Sequence, residues 1–205
     1  MLNMKQKIID TGKFLGTKGF APGLSGNISM RCDNGFIITA SGSRLGDLQF
    51  DDIVFMNFDG SYDENCKKPS SEKNLHNEIY HLRSDINAII HCHAPKSATL
   101  AACHIPMDRK LLADCVFYFK EIPVAPYAMP SSDALVHNTA PLFENHNAVL
   151  MANHGIIIGA DSLENALYLV ETAEFNAEVY INAISINSGC SLSPESVSEV
   201  YTLCR

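Results

Sequence analysis

The chain has 205 residues, 46% of them hydrophobic and 19% charged, with a formal net charge of -8. This is the composition of a globular protein with a sizeable core, and the length favours one domain spanning residues 1–205. The acidic balance argues against a large surface for a phosphate backbone, so nucleic acid is not expected as a partner. A small anionic substrate needs only one local site and is not excluded.

The cysteines indicate a reducing compartment. The 7 cysteines are odd in number and lack any Cys-x-x-Cys spacing. The opening residues are not followed by the apolar core of a signal peptide, and no apolar run reaches membrane-spanning length. We therefore expect a cytoplasmic protein with reduced thiols and no membrane partner.

The first half of the chain predicts one helix followed by short strands. The helix covers residues 2–18 and stops at Gly19. A Gly-rich turn leads into three predicted strands, at residues 27–32, 35–41 and 52–60. The dipeptide Asn34-Gly35 separates the first two strands and is a hairpin signal.

The second half alternates helices with apolar strands. Helices are predicted at residues 69–83, 95–104 and 163–184, the last with Asp161 and Glu164 at capping-box spacing. Strands are predicted at residues 86–94, at 121–130, and in two half-runs within 148–160. Together the elements predict an α/β fold in which a mainly antiparallel central sheet is flanked by helices.

Three histidines interrupt or end these apolar strands. His91 and His93 are two apart on a strand, so they point to one face, which suits chelation. His154 stands in an Asn-His-Gly break of an apolar run. Three neutral imidazoles with an open fourth position suit Zn²⁺ or a similar divalent ion, although a strand end and a tight bend remain the structural alternative. Cys92 faces the opposite side and is expected in the core.

Three small-residue segments could hold an anion. Ser70 and Ser71 stand at a predicted helix N-terminus, where backbone N–H groups are free, and Glu72 is expected in the first helical turn. Gly23–Ser29 and Thr39–Ser43 are turns that could bring backbone N–H groups close to a phosphate. Taken singly, each has an ordinary alternative as a helix cap or a loop.

In combination these features are far more specific. Two Gly/Ser turns, a Pro-Ser-Ser-Glu helix start, His-x-His and Asn-His-Gly follow one another in this order. The set resembles the class II aldolase/adducin family, most closely its branch of the L-fuculose-1-phosphate aldolase type. The resemblance covers nearly the whole chain and includes Ile122–Ala128, which is similar to a strand of that family.

The resemblance implies a role for each matching position. Glu72 would be the catalytic acid/base, and one divalent metal ion per subunit, by default Zn²⁺, would be bound by His91, His93 and His154. The substrate phosphate would be bound by Gly26, Asn27, Ser41, Gly42, Ser70 and Ser71. The implied reaction is retro-aldol cleavage of a phosphorylated ketose, such as L-fuculose 1-phosphate, to dihydroxyacetone phosphate and an aldehyde, through a metal-stabilised enediolate. Family members are typically homotetramers with active sites at subunit interfaces.

The chain departs from the aldolase pattern in one loop. Leu112 stands where the aldolase of that type has a loop tyrosine from a neighbouring subunit. Asp114 and Tyr118 lie nearby and are candidate accessory acids, with a solvated or packed loop residue as the alternative. The aldolase of that type also uses a C-terminal tyrosine, for which Tyr201 is a weak counterpart. Glu72 favours the aldolase, because epimerases of the ribulose-phosphate type carry Asp at that position.

Other reactions remain open at the same site. Epimerisation, dehydration and decarboxylation of a sugar phosphate also stabilise an enolate at such an ion. A non-catalytic scaffold, as in adducin, is disfavoured by the three histidines and Glu72. His76 lies on the helical face of Glu72 and is a candidate supporting residue. The remaining histidines are expected at the surface or with ordinary partners: His81, His104, His137 and His146.

Overall fold

A single seven-stranded sheet forms the centre of the computed structural model, which describes residues 1–203. The strands are β1 (Asn27–Cys32), β2 (Gly35–Thr39), β3 (Ile53–Asn57), β4 (Ala88–Cys92), β5 (Val124–Ala125), β6 (Ala148–Met151) and β7 (Gly155–Ala160). Their spatial order is β3-β2-β1-β4-β7-β6-β5. Every pairing is antiparallel except that of β5 with β6. The predicted mainly antiparallel sheet is thus confirmed.

Helices cover both faces of this sheet. They are α1 (Leu2–Thr17), α2 (Lys73–Leu82), α3 (Pro95–Ala102), α4 (Ala113–Phe119), α5 (Asp133–Thr139), α6 (Leu163–Ser185) and α7 (Pro194–Thr202). Short 3-10 helices occur at Leu45–Asp47, Phe50–Asp52 and Ala140–Glu144. Within residues 1–203, none of the helices is long and apolar enough to cross a membrane.

Alternation along β4 divides the core into two layers. Ile90 and Cys92 pack with residues of α1, α3 and α6, whereas Ile89 packs on the other face with residues of α2 and α5. This follows from the two-residue period of a strand. Cys92 is fully buried, so its predicted place in the core is confirmed.

The helix predicted from residue 69 begins later. Pro69 forms a β-bridge with Ala40, and the Ser70 backbone N–H donates to Thr39 O at 3.0 Å. This pairing holds the segment in an extended path, and α2 starts only at Lys73. Glu72 is therefore the N-cap residue, and the expectation that it lies in the first helical turn is wrong.

The start of α6 differs from the expected capping box. The N-cap is Ser162, whose Oγ accepts a hydrogen bond from Asn165 N at 3.2 Å. Asp161 instead accepts from the Asn165 side chain at 2.7 Å. A serine Oγ one residue closer to the helix satisfies the free backbone N–H, so the Asp161–Glu164 prediction is wrong.

Two strand predictions also need correction. The hairpin between β1 and β2 is present, but Cys32 pairs with Gly35, so its loop is Asp33-Asn34. Gly35 lies within β2, where a Cβ atom would overlap the Met56 carbonyl of β3. In the predicted strand 121–130 only Val124–Ala125 form a strand, and Ile122 makes an isolated bridge with Met107. The Pro residues on either side of β5 lack the N–H that a ladder requires.

Candidate metal centre and active site

The three histidines meet at one end of β4. His91 is in that strand, His93 follows it, and His154 lies in the turn between β6 and β7. Because Cys92 pairs with Ile156 at the start of β7, the turn lies beside the end of β4. One ring nitrogen from each histidine lies within 4.8 Å of the other two. His91 Nε2 and His93 Nε2 are 3.2 Å apart.

Backbone contacts fix the His91 ring. Its Nδ1 lies 2.9 Å from the Ile156 carbonyl oxygen, which can only accept, so Nδ1 carries the proton and Nε2 presents its lone pair to the cluster. Gly155 makes room for the rings. A Cβ at that position would lie 2.5 Å from Cys92 O and 2.9 Å from His93 Cδ2.

The turn that carries His154 is held by its own hydrogen bonds. The His154 N–H donates to Met151 O at 3.0 Å, and the preceding Asn153 adopts a left-handed conformation with φ 55°. Asn153 Oδ1 lies 2.7 Å from His104 Nε2, which donates to it. The exposed His104 thus supports the metal-site turn, a contact that sequence spacing does not signal.

The cluster fits a divalent cation. In a tetrahedral zinc site with Zn–N distances of about 2.0–2.1 Å, two ligand nitrogens lie about 3.3 Å apart. The His91–His93 separation of 3.2 Å agrees with that value. Burial lowers the pKa of His91 and of His93, and it lowers that of His154 to about 4. All three imidazoles are therefore neutral near pH 7, which is the form that ligates metals.

Glu72 lies against two of the histidines. Its Oε1 is 3.4 Å from His154 Nε2, and its Oε2 is 3.4 Å from His91 Nε2. Asn27 Nδ2 donates to Oε2 at 3.1 Å. Burial alone would raise the pKa of Glu72, but the two histidines and Asn27 outweigh it, so the pKa is lowered. The carboxylate is ionised at neutral pH and can accept a proton.

The small-residue turns lie next to the histidines. The Ala40–Pro69 bridge and a 2.8 Å hydrogen bond from Ser41 N to Lys68 O join two of these turns. Gly26, at φ 82°, brings the third turn alongside β4, where a Cβ would lie 2.8 Å from His91 O. Turns and histidines together line a pocket of about 160 Å³.

The pocket contains every main site residue expected from the sequence. Its lining includes the three histidines and Glu72 together with Gly26, Asn27, Ser41, Gly42, Ser70 and Ser71. Four further lining residues lie within the two predicted turns: Leu24, Ser25, Ala40 and Ser43. Sequence reasoning missed the last two lining residues, Pro130 and Ser131. A Pro-Ser-Ser turn after the Pro-rich strand was the available signal for the last two. Lys and Arg do not occur among the described residues that line this pocket.

The candidate accessory acids lie elsewhere. Asp114 and Tyr118 are on α4, Leu112 is the N-cap of that helix, and Tyr201 is on α7. Tyr118 and Tyr201 line a separate groove. A role at the active site would require a second subunit and stays a prediction. Of the remaining histidines, His81, His104 and His137 are exposed and His146 is half-buried, as expected.

Comparison with known proteins identifies the family of this chain. The model of the class II aldolase and adducin N-terminal domain family matches residues 6–181. L-fuculose phosphate aldolase of Haemophilus influenzae is 33% identical over 89% of this chain and 84% of its own length. 5-Deoxy-D-ribulose 1-phosphate aldolase of Bacillus thuringiensis is 33% identical over 89% and 86%.

A solved structure of an L-fuculose 1-phosphate aldolase superposes with a TM-score of 0.92 at 33% identity, covering 98% of this chain and 95% of that chain. The matched residues include the histidine cluster, Glu72 and the small-residue turns, all of which lie between residues 6 and 181. The chain therefore belongs to the class II aldolase and adducin N-terminal domain family, and within it the protein is an aldolase.

Proposed function

We propose that this aldolase cleaves a phosphorylated ketose, such as L-fuculose 1-phosphate, to dihydroxyacetone phosphate and an aldehyde. The observation that carries the proposal is the position of Glu72, an ionised carboxylate 3.4 Å from nitrogens of both His91 and His154. A carboxylate beside a cation site can transfer the proton at the carbon where negative charge develops. Two relatives named for ketose 1-phosphates support the substrate class.

We assign the substrate phosphate to the small-residue turns. The proposed partners are Gly26, Asn27, Ser41, Gly42, Ser70 and Ser71, all of which line the pocket. Ser41 and Ser70 would contribute their hydroxyls, because their backbone N–H groups already donate to Lys68 O and Thr39 O. The described lining of one chain holds no Lys or Arg, so within this chain hydrogen bonds carry the recognition. Turns of this kind bind phosphate in other proteins through convergent N–H groups.

We propose that His91, His93 and His154 hold one divalent ion, with Zn²⁺ the default for three imidazole ligands. A cation bound there supplies Lewis-acid stabilisation of the negative charge that develops on the substrate oxygens. Purified protein should contain about one equivalent of divalent metal per chain. Absence of metal after growth and dialysis in zinc-containing buffer would contradict this assignment.

The proposed proton transfers balance over one cycle. When the C3–C4 bond breaks, the C4 hydroxyl gives up its proton and becomes the aldehyde carbonyl. The bonding electron pair stays with the three-carbon fragment. Glu72, ionised at rest, takes up one proton from solvent and delivers it to C3 to form dihydroxyacetone phosphate. The proton of the C4 hydroxyl is released to solvent, so that Glu72 is ionised again at the end of the cycle. In the condensation direction Glu72 removes the proton from C3. Asp114 and Tyr118, reaching in from a neighbouring subunit, are the candidate groups for the proton of the C4 hydroxyl.

That role requires an assembly of several chains, and we propose a homotetramer with active sites near its interfaces. Light scattering coupled to size-exclusion chromatography would measure the mass directly. A monomer that is fully active at assay concentration would contradict both the assembly and the role of Asp114 and Tyr118. Tyr118→Phe should then leave turnover unchanged, whereas the proposal expects a loss.

A panel of ketose 1-phosphates tests the function itself. We expect the wild-type protein to release dihydroxyacetone phosphate from at least one member, detected by coupled oxidation of NADH. Glu72→Gln should abolish turnover, whereas Glu78→Gln, at an exposed position on α2, should not. Conversion to an epimer or a dehydrated sugar, without dihydroxyacetone phosphate, would replace aldol cleavage with the alternative reaction.

A further inference from the structure

A chain of hydrogen bonds runs from Glu72 into the core. Asn27 Nδ2 donates to Glu72 Oε2 at 3.1 Å, and Asn27 Oδ1 lies 2.5 Å from His76 Nε2. His76 Nδ1 lies 2.7 Å from Ser29 Oγ, which lies 2.7 Å from Tyr80 Oη. All five residues are buried, and His76 and Ser29 are fully buried.

Two elements supply the members of this chain. Asn27 and Ser29 are two residues apart on β1, so their side chains lie on the same face of the sheet. Glu72, His76 and Tyr80 follow one another at four-residue spacing at the start of α2 and along it, and so share one side of the helix. The side chains therefore interdigitate between strand and helix and reach the active site at Glu72.

The direction of every hydrogen bond follows from the Asn27 amide. Its Nδ2 faces Glu72 and donates, and its Oδ1 faces His76 and can only accept. His76 Nε2 must then carry the proton and donate to Asn27. In the neutral ring, Nδ1 is the acceptor, so Ser29 donates to it and Tyr80 donates to Ser29. Every donor points toward Glu72.

Burial keeps the His76 ring neutral. The ring has no solvent exposure, and this burial lowers the pKa of His76 to about 3. A charged imidazole would donate from both nitrogens and reverse the hydrogen bond to Ser29. A neutral ring with one defined tautomer gives each partner one role, and polarisation along such a chain strengthens its bonds.

We propose that His76 is a positioning residue for the proton transfer at Glu72, acting through Asn27. This inference rests on the proposed function, because it concerns the efficiency of the same carboxylate. The two orientations of an Asn amide are nearly equal in shape, and the flipped one would set its carbonyl oxygen against the carboxylate. The His76 Nε2–H selects the orientation in which Asn27 donates to Glu72 and holds its Oε2, while Oε1 faces His154.

The tautomer of His76 tests the inference without any substrate. Long-range ¹H–¹⁵N correlation spectra of the full-length protein, with His76→Gln used for assignment, should show a neutral ring protonated at Nε2 and bare at Nδ1. A ring protonated at Nδ1, or at both nitrogens, would overturn the inference. Aldolase activity is not needed for this measurement, so it separates the inference from the proposed function.

Proton transfer by Glu72 provides the second test. Dihydroxyacetone phosphate alone, in deuterated buffer, exchanges its C3 proton at a rate that NMR measures directly. Losing a residue that orients an active-site ligand commonly costs about 10–100-fold, so His76→Leu should slow this exchange by about tenfold or more per metal-bound chain. His76→Gln, which retains an N–H donor near Nε2, should recover part of the rate. KM should change little, because no substrate contact is removed.

A matched pair of tyrosines controls for simple destabilisation. Tyr80→Phe and Tyr180→Phe each remove one phenol hydrogen bond from a buried tyrosine, but the Tyr180 hydroxyl donates to Asp108 and lies outside this chain of hydrogen bonds. Only Tyr80→Phe should slow exchange, and by less than His76→Leu. Exchange at the wild-type rate in His76→Leu would overturn the inference. If His76→Leu does not fold, the tyrosine pair and the tautomer decide, since equal rates in the two tyrosine variants count against it.

Discussion

The carboxylate of Glu174 on α6 caps the N-terminus of α3 at Ser97. It accepts hydrogen bonds from the Ser97 N–H at 2.9 Å and from its hydroxyl at 2.8 Å, and a third from the Lys96 N–H at 2.7 Å. The N-terminus of a helix presents free N–H groups and partial positive charge, which a buried carboxylate satisfies. Because α3 begins soon after His93, this contact joins α6 to the end of β4 that carries the histidines.

Glu174→Gln should therefore destabilise the fold. The variant loses the charge and turns an NH₂ group toward backbone donors, so we expect the free energy of unfolding in urea to fall by about 2–3 kcal/mol. Glu178→Gln on the same helix removes only an exposed ion pair with Lys96 and should change stability by less than about 0.5 kcal/mol. Equal losses in the two variants would contradict the capping role.

Gly155→Ala should weaken metal binding. The added Cβ would meet the Cys92 carbonyl oxygen at 2.5 Å and the His93 ring at 2.9 Å, so the end of β4 and the ring of a proposed ligand must both shift. We expect affinity for Zn²⁺, measured by competition with a chromogenic chelator, to fall by about tenfold or more. Gly46→Ala is the control, because the nearest atom to its added Cβ lies 3.6 Å away. Unchanged affinity in Gly155→Ala would show that the rings do not need this space.

Removal of single imidazoles should abolish stoichiometric metal binding. His91→Ala and His154→Ala each leave two of the three nitrogens of the cluster. Elemental analysis after dialysis should show well below one equivalent in both variants. His81→Ala is the matched control, because that exposed ring lies outside the cluster and contacts Asn77 O and the Phe58 ring. A full equivalent of metal in His91→Ala would exclude the three-histidine site.

Lowering the pH should reduce the free energy of unfolding, and His76 should account for part of this loss. Its pKa is about 3 in the folded protein against an ordinary 6.5. Between these values the unfolded chain binds a proton that the folded chain does not, so the free energy of unfolding falls as pH drops below 6.5. This group alone contributes up to about 1.4 kcal/mol per pH unit.

The measurement compares urea unfolding of metal-free protein between about pH 6.5 and 4.5, the range in which an ordinary imidazole titrates. In His76→Gln the free energy of unfolding should change less steeply with pH than in the wild type, by up to about 1.4 kcal/mol per pH unit. A wild-type slope in His76→Gln would mean that His76 is charged or accessible in the fold.

The cysteines should differ sharply in reactivity. Burial raises the pKa of the Cys92 thiol to about 12, whereas Cys66, Cys103 and Cys190 are exposed. Treatment of the native protein with iodoacetamide, followed by peptide mass spectrometry, should label the exposed thiols and leave Cys92 unmodified until the chain is denatured. Early labelling of Cys92 would place it outside the core.

The candidate site was more predictable from sequence than its surroundings. The two-residue period of a strand already directs His91 and His93 to one face and Cys92 to the other, and the structure agrees. Helices α1, α3 and α6 also follow from apolar spacing within a few residues. These features depend on local geometry, which one stretch of chain determines.

The position of Glu72, by contrast, depends on pairing between segments that are distant in the sequence. Glu72 stands before α2, because Pro69 and Ser70 pair with the end of β2, and a generic Pro-Ser-Ser-Glu helix start does not reveal that partner. Helices α4, α5 and α7 were not predicted. Their segments have only seven to nine residues, which is too short for apolar periodicity to identify a helix.

The sequence by itself determined the residue types of the site, their order, the kind of sheet and the family resemblance. Only the tertiary structure decided that Asn27 turns its amide between Glu72 and His76, and that Glu174 caps α3 at Ser97. The physical reason is that a buried polar group must find a hydrogen-bond partner wherever the fold supplies one. That partner comes from a distant segment, and the order of the strands, not the spacing along the chain, brings the two together.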